Sequence, residues 1–129
     1  MSIRILVIDD EEVIRKSFIL ALEDTGYQVE TAASGEKGIE KARQTPFDLI
    51  FLDLKMPGLN GVETLRQLWK LRPTVPIYIV TAYYEDFLDQ LQSAAEDAIS
   101  FQIIRKPVGG DEIRSIAKVV SEHKLQFSR

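Results

Sequence analysis

The residues best suited to chemistry in this chain are acidic, hydroxyl and basic side chains that come at the ends of short apolar runs. They are Asp9 and Asp10 after residues 3–8, Asp53 after 48–52, Thr81 after 76–80 and Lys106 after 101–104. Three carboxylates at one place would repel each other unless a cation joined them. Mg²⁺ fits such a site, because it prefers hard oxygen ligands and keeps several waters. A carboxylate beside a metal ion, a lysine and a hydroxyl group is suited to phosphoryl transfer onto aspartate.

The apolar runs are the elements that must bring these residues together. Five of them are predicted to be strands: 3–8, 27–32, 48–52, 76–80 and 101–104. Helical patterns separate the strands, and Ser34 and Asn60 are predicted to cap the second and third helices. The fourth helix is predicted from residue 85 to about 97 and the last from 111 to about 124. This alternation predicts an α/β fold, a five-stranded parallel sheet with helices on both faces. Ligands of such sheets bind beyond the carboxyl ends of the strands, where the polar residues lie.

The composition is that of one globular domain without a long run of basic residues that would bind nucleic acid. Of 129 residues, 45% are hydrophobic and 28% charged, the formal net charge is −4, and there is no cysteine. We expect a single domain over residues 1–129, with an ordered core over about 3–124 and a tail that would suit a linker to an output domain. No run is apolar enough to span a bilayer and the start does not read as a signal peptide, which predicts a cytoplasmic protein. The negative net charge predicts that the domain does not bind nucleic acid directly.

Each of these residues also has an ordinary structural explanation when it is taken alone. Acidic residues such as Asp9 and Asp10 favour a helix start, and Asp53 could form a turn. Lys106 before a proline could be a solvated surface lysine, and Thr81 a plain strand end. The chemical interpretation is preferred because all four ordinary explanations would have to be true at the same time.

Four segments of the sequence resemble the receiver domains of two-component response regulators. They are residues 5–11 (ILVIDDE), 48–61 (DLIFLDLKMPGLNG), 79–82 (IVTA) and 105–107 (RKP). The resemblance spans nearly the whole chain, in the right order. It implies a flavodoxin-like fold with strand order 2-1-3-4-5.

The resemblance also implies a role for each site residue. Asp53 would be the phosphoacceptor, and Mg²⁺ would be bound by Asp10, by Asp53 and by the backbone carbonyl of Lys55, with Asp9 helping through a water. Thr81 would follow the phosphoryl group and the small Ala82 would leave room for it. Lys106 would neutralise the phosphoryl charge, aimed by a cis peptide bond to Pro107.

A signalling function and its partners follow from the same resemblance. A sensor histidine kinase or a phosphotransfer protein would supply the phosphoryl group, and the domain would catalyse its own phosphorylation and slow hydrolysis. The fourth helix, fifth strand and last helix would form the face that contacts an output partner or a second copy in a homodimer.

The sequence departs from the family pattern at two places, and two further positions are variable in the family. Receivers usually carry an aromatic residue where this chain has Ile103, and Phe101 is predicted to point to the same sheet face. The segment between Thr81 and Lys106 is longer than usual and lacks a Gly-Ala step, which predicts a longer fourth helix or an altered loop. Lys55 and Tyr83 hold the two variable positions beside the phosphoryl group, where their size predicts a long-lived phosphorylated form.

Two alternatives stay open from the sequence. An enzyme of the haloacid dehalogenase type also uses an aspartate after a strand together with Mg²⁺, but it needs a second aspartate where this chain has Lys55. A receiver-like interaction module that has lost phosphorylation would rest on the departure at Ile103 and on the altered loop.

Overall fold

Parallel strands alternate with helices along the whole described chain. The computed structural model describes residues 2–127, and side chains for residues 2–124. The strands are β1 Arg4–Ile8, β2 Gln28–Ala32, β3 Leu49–Leu52, β4 Ile77–Thr81 and β5 Gln102–Arg105. The helices are α1 Glu12–Ala21, α2 Gly35–Gln44, α3 Gly61–Leu71, α4 Leu88–Glu96 and α5 Gly110–Phe127. The strands form one parallel sheet in the order β2-β1-β3-β4-β5, which confirms the predicted fold.

Alternating side chains of the strands build two hydrophobic cores, one on each face of the sheet. Leu6, Ile50 and Ile79 point to the face covered by α2, α3 and α4. Val7 and Phe51 point to the opposite face, which α1 and α5 cover. Because both faces are buried, the central strands read as nearly continuous apolar runs in the sequence.

Two helices begin at the predicted polar caps. The Ser34 hydroxyl accepts a hydrogen bond from the Lys37 N–H at 3.2 Å, and the Asn60 side chain accepts one from the Glu63 N–H at 3.0 Å. Each bond satisfies an N–H that has no partner within the first turn of its helix. The Asn60 cap matters for the site, because it fixes the start of α3 directly after the loop that follows Asp53.

The fourth helix begins later in the chain than predicted. The segment from Tyr84 to Phe87 is a 3₁₀ turn, so the α-helix begins only at Leu88. The expectation of a helix from residue 85 was therefore wrong by three residues. At the other end of α4, Ala98 has a φ of 65°, a left-handed conformation that usually belongs to glycine. This residue stands where the sequence lacks the Gly-Ala step of the family.

None of the helices within residues 2–127 has both the length and the apolar character that a membrane span requires.

Candidate functional site

Three carboxylates meet beyond the carboxyl ends of β1 and β3. These strands are neighbours, with Ile8 opposite Leu52, so the next residues, Asp9 and Asp53, emerge side by side. Carboxylate oxygens of Asp9, Asp10 and Asp53 all lie within 4.8 Å of one another. Asp9 and Asp53 are 3% and 4% exposed, whereas Asp10 is exposed to solvent. The cluster is therefore a half-buried concentration of negative charge.

Lys106 brings the positive charge of the site. Its Nζ lies 2.9 Å from Asp9 Oδ2 and 3.6 Å from Asp53 Oδ1, and its backbone N–H donates to the carbonyl of Thr81 at 2.9 Å. The following bond, Lys106–Pro107, is cis as expected. Burial acts to lower the pKa of Lys106, but the hydrogen bond to Asp9 and the charge of Asp53 outweigh it, so the pKa lies above its ordinary value. The lysine is held as a cation.

Asp53 has a buried oxygen that the protein leaves without a hydrogen bond. Its Oδ1 is inaccessible to solvent and has no donor within hydrogen-bond distance, since Lys106 approaches only to 3.6 Å. Burial, followed by the negative charge of Asp9, raises the pKa of Asp53 from 3.8 to about 6, and the charge of Lys106 opposes this rise. An unsatisfied buried carboxylate is costly, so this oxygen is suited to bind an electrophile or a cation.

The donor set fits a hard divalent cation. Both oxygens of Asp9 are engaged, Oδ1 by the Glu11 N–H at 2.9 Å and Oδ2 by Lys106. Asp10 and Asp53 are therefore the carboxylates with oxygens to spare. Two carboxylates with room for water are the ligand set that Mg²⁺ commonly takes in proteins.

Thr81 lies beside the site at the end of β4, the strand next to β3. It is the last residue of β4 and 1% exposed, and its hydroxyl oxygen accepts the Tyr83 N–H at 2.9 Å. The hydroxyl hydrogen remains available to donate. The next residue, Ala82, is small and exposed.

Lys55 and Tyr83 form a contact across the two loops beside Asp53. Lys55 Nζ lies 4.1 Å from the centroid of the Tyr83 ring, a cation–π geometry. Lys55 follows Asp53 by two residues and Tyr83 follows Thr81 by two, so the contact joins the loop after β3 to the loop after β4.

The strand next to β4 carries Ile103 at the position where an aromatic residue was expected. Ile103 pairs with Ile79 and packs on the core beneath α2, α3 and α4. Phe101 packs on the same core, which confirms that it points to the same face, and Tyr84 and Phe87 join it there. Whether Phe101 takes over the role of the missing aromatic residue stays a prediction.

Two residues that shape the site were not predicted from the sequence to do so. Arg15 donates from Nη1 to the Asp9 carbonyl at 2.9 Å, which holds the acidic loop against α1. A Cβ on Gly61 would lie 2.3 Å from Leu54 Cα and 2.5 Å from the Asp53 carbonyl oxygen, so only glycine fits there. Gly61 ends the motif at residues 48–61, but the close approach depends on how α3 returns to the strand end and is not readable from a motif.

Comparisons with known proteins show which family the chain resembles. The family model described as the response regulator receiver domain matches residues 5–118. PhoP of Bacillus subtilis, the alkaline phosphatase synthesis transcriptional regulatory protein, is 36% identical over 122 residues, which are 93% of this chain and 49% of PhoP. AlgB of Pseudomonas aeruginosa, the alginate biosynthesis transcriptional regulatory protein, is 36% identical over 116 residues, 88% of this chain and 25% of AlgB.

A solved structure also matches over nearly its full length. The CheY-like response regulator receiver domain protein from Methanospirillum hungatei JF-1 superposes with a TM-score of 0.84 at 31% identity, covering 98% of this chain and 99% of that one. The chain thus spans about half of PhoP and about a quarter of AlgB, but nearly the whole of this solved receiver.

Proposed function

Because the chain belongs to the family of response regulator receiver domains, which are signalling switches, we propose that Asp53 is its phosphoacceptor. The observation that carries this proposal is the buried Asp53 Oδ1, which has no hydrogen-bond donor and lies 3.6 Å from the Lys106 ammonium. A sensor histidine kinase or a phosphotransfer protein would be the donor. Residues 1–129 would act as a single receiver domain.

In this proposal, Mg²⁺ would be held by Asp10, by Asp53 and by the backbone carbonyl of Lys55. Asp9 would act through a water, which agrees with both of its oxygens being engaged by protein donors. When it is bound, Mg²⁺ supplies positive charge that offsets the carboxylates and the phosphoryl oxygens.

Asp53 attacks the phosphorus atom of the donor with a carboxylate oxygen. The new P–O bond forms as the P–N bond to the donor imidazole breaks, and the imidazole leaves with the electron pair of that bond. Lys106 neutralises the charge on the phosphoryl oxygens from its place beside Asp9 and Asp53. Thr81 donates its hydroxyl hydrogen to a phosphoryl oxygen while it keeps the Tyr83 N–H as a donor to its own oxygen.

Phosphorylation would switch a two-state equilibrium of the domain. Once it is bound to Asp53, the phosphoryl group keeps strong acceptors beside Thr81 and Lys106, so it favours whichever state draws these residues inward. The readout would be partner binding or homodimer formation on the face of α4, β5 and α5. The haloacid dehalogenase alternative is disfavoured, because its second aspartate is replaced by Lys55. The Lys55 Nζ lies over the Tyr83 ring rather than among the carboxylates.

Intact mass spectrometry after incubation with acetyl phosphate tests the proposal. We expect wild type to gain one phosphoryl group in the presence of Mg²⁺ and none in EDTA. Asp53→Asn should gain none under either condition, whereas Asp89→Asn, an exposed aspartate of α4, should behave as wild type. Folded wild type that gains no mass with Mg²⁺ would favour the interaction module without phosphorylation.

A further inference from the structure

A cavity opens at the edge of the sheet opposite to the phosphoacceptor site. It has a volume of about 360 Å³ and lies between the loops that lead into β3 and β4 and the later turns of α5. Phe47, Val75 and Val120 contribute the apolar part of its lining. This volume falls within the range of small-molecule sites, which commonly combine apolar walls with a few polar groups.

Arg72 is the polar group of this cavity that the protein does not satisfy. Its Nε is buried and has no hydrogen-bond partner. Among the side chains described for residues 2–124, no carboxylate lies within ion-pair distance of its guanidinium. A buried donor on a charged group is costly to leave unpaired. Because Arg72 lines the cavity, an oxyanion bound there would pair with its guanidinium group.

The acidic residue of the lining is already committed elsewhere. Asp48 Oδ2 accepts the Arg4 N–H at 2.8 Å and lies 3.2 Å from Lys124 Nζ. Asp48 therefore offsets Lys124, and the positive charge of Arg72 stays uncompensated within the lining. The electrostatics of the cavity favour an anion.

We propose that this cavity binds a small molecule that carries a carboxylate or phosphate group on an apolar body. Arg72 would anchor the anionic group, because a guanidinium donates two parallel hydrogen bonds to either of them. Phe47, Val75 and Val120 would contact the apolar part. The site is separate from the phosphoacceptor site and does not depend on the function proposed for Asp53.

A titration followed by nuclear magnetic resonance tests this site directly. The ¹⁵N-labelled chain would be titrated with benzoate, with phenyl phosphate and with inorganic phosphate. We expect benzoate or phenyl phosphate to shift the amide signals of Val75 and Val120 saturably, and inorganic phosphate to bind at least several-fold more weakly. The tighter of the two aromatic probes identifies the preferred anionic group. Absence of a saturable shift with all three probes, or inorganic phosphate binding as tightly as the aromatic probes, would overturn the proposal.

Variants assign the binding to the cavity. Arg72→Gln should weaken binding at least about tenfold, the effect of losing a charged hydrogen bond, and Arg72→Lys should fall between it and wild type. Lys124→Gln should also weaken binding, because it leaves the charge of Asp48 uncompensated. Lys70→Gln removes an exposed charge in the last turn of α3, two residues before Arg72 and outside the lining, and should leave the Kd unchanged. An unchanged Kd in both Arg72→Gln and Lys124→Gln would contradict the assignment.

The same titration separates this inference from the proposed function. Asp53→Asn should bind the aromatic probe as wild type does, whether or not it has lost phosphorylation. If Asp53→Asn fails to bind while its amide spectrum remains that of a folded protein, the cavity is not the independent site proposed here.

Discussion

Replacing Asp53 with asparagine should stabilise the metal-free protein at neutral pH. The carboxylate is 4% exposed, its Oδ1 has no hydrogen-bond donor, and burial together with Asp9 raises its pKa from 3.8 to about 6. The folded protein therefore binds a proton on Asp53 more tightly than the unfolded chain does. Its free energy of unfolding falls as the pH rises through the window from about 4 to 6, and the loss is complete above that window.

The size of this effect follows from the difference between the two pKa values. The difference is about two, and each pKa unit corresponds to about 1.4 kcal/mol, so the ionised carboxylate costs about 3 kcal/mol at pH 7.5. Asparagine has nearly the same shape and carries no charge. We expect Asp53→Asn to raise the free energy of unfolding by about 2–3 kcal/mol at pH 7.5 and by much less at pH 4.5.

Urea unfolding followed by circular dichroism measures this difference. Both proteins would be unfolded in EDTA at several pH values between 4.5 and 7.5. Asp89→Asn, a change at an exposed aspartate, should alter stability by less than about 0.5 kcal/mol. Added Mg²⁺ should stabilise wild type, by about 1.4 kcal/mol at ten times its Kd, and should stabilise Asp53→Asn much less. A variant that is no more stable than wild type at pH 7.5, or whose advantage does not vary with pH, would refute the reasoning.

Three further changes probe two loops beside the site and the turn that leads into β5. Lys55→Ala together with Tyr83→Ala removes a cation–π contact of 4.1 Å and should shorten the lifetime of the phosphorylated form about two- to fivefold, measured as loss of phosphoryl mass with time. Gly61→Ala places a Cβ 2.3 Å from Leu54 Cα and should lower the free energy of unfolding by at least about 2 kcal/mol in urea. Ala98→Gly relieves a left-handed φ of 65° and should raise the free energy of unfolding by about 0.5–1 kcal/mol in the same assay.

Matched controls separate these effects from general ones. Gly109→Ala adds a Cβ with no atom within 4 Å and should leave stability nearly unchanged. Asp24→Gly also relieves a left-handed φ, of 63°, but aspartate tolerates this conformation better than alanine, so its gain should be smaller than that of Ala98→Gly. A double variant of Lys55 and Tyr83 that loses its phosphoryl group no faster than wild type would show that their contact does not protect it.

Strand periodicity and topology were enough to predict how the site assembles. The apolar runs that end at Ile8 and Leu52 are buried on both faces, and they pair in register. Any residue that directly follows them must therefore lie at the same edge of the sheet. This is why the convergence of Asp9 and Asp53 could be predicted from a sequence without a structure.

Features that depend on three-dimensional packing could not be predicted in this way. The 3₁₀ turn at Tyr84–Phe87 carries the same kinds of residue as a helix start, and only its hydrogen bonding distinguishes it. Arg72 reads as an ordinary basic residue at the end of a helix. The cavity that Arg72 lines is formed by loops and a helix that lie far apart in the sequence, and the burial of its Nε is seen only in the folded chain. The fit of Gly61 against Leu54 is likewise a property of the folded chain.

The most direct test of the central claim is to identify which aspartate carries the phosphoryl group. The chain would be phosphorylated with acetyl phosphate and Mg²⁺, and the acyl phosphate reduced with borohydride, which converts the modified aspartate to homoserine. Peptide mass spectrometry then distinguishes Asp53 from Asp9 and Asp10. We predict homoserine at position 53 alone. Homoserine at position 9 or 10, or at no position in folded protein with Mg²⁺ present, would contradict the account.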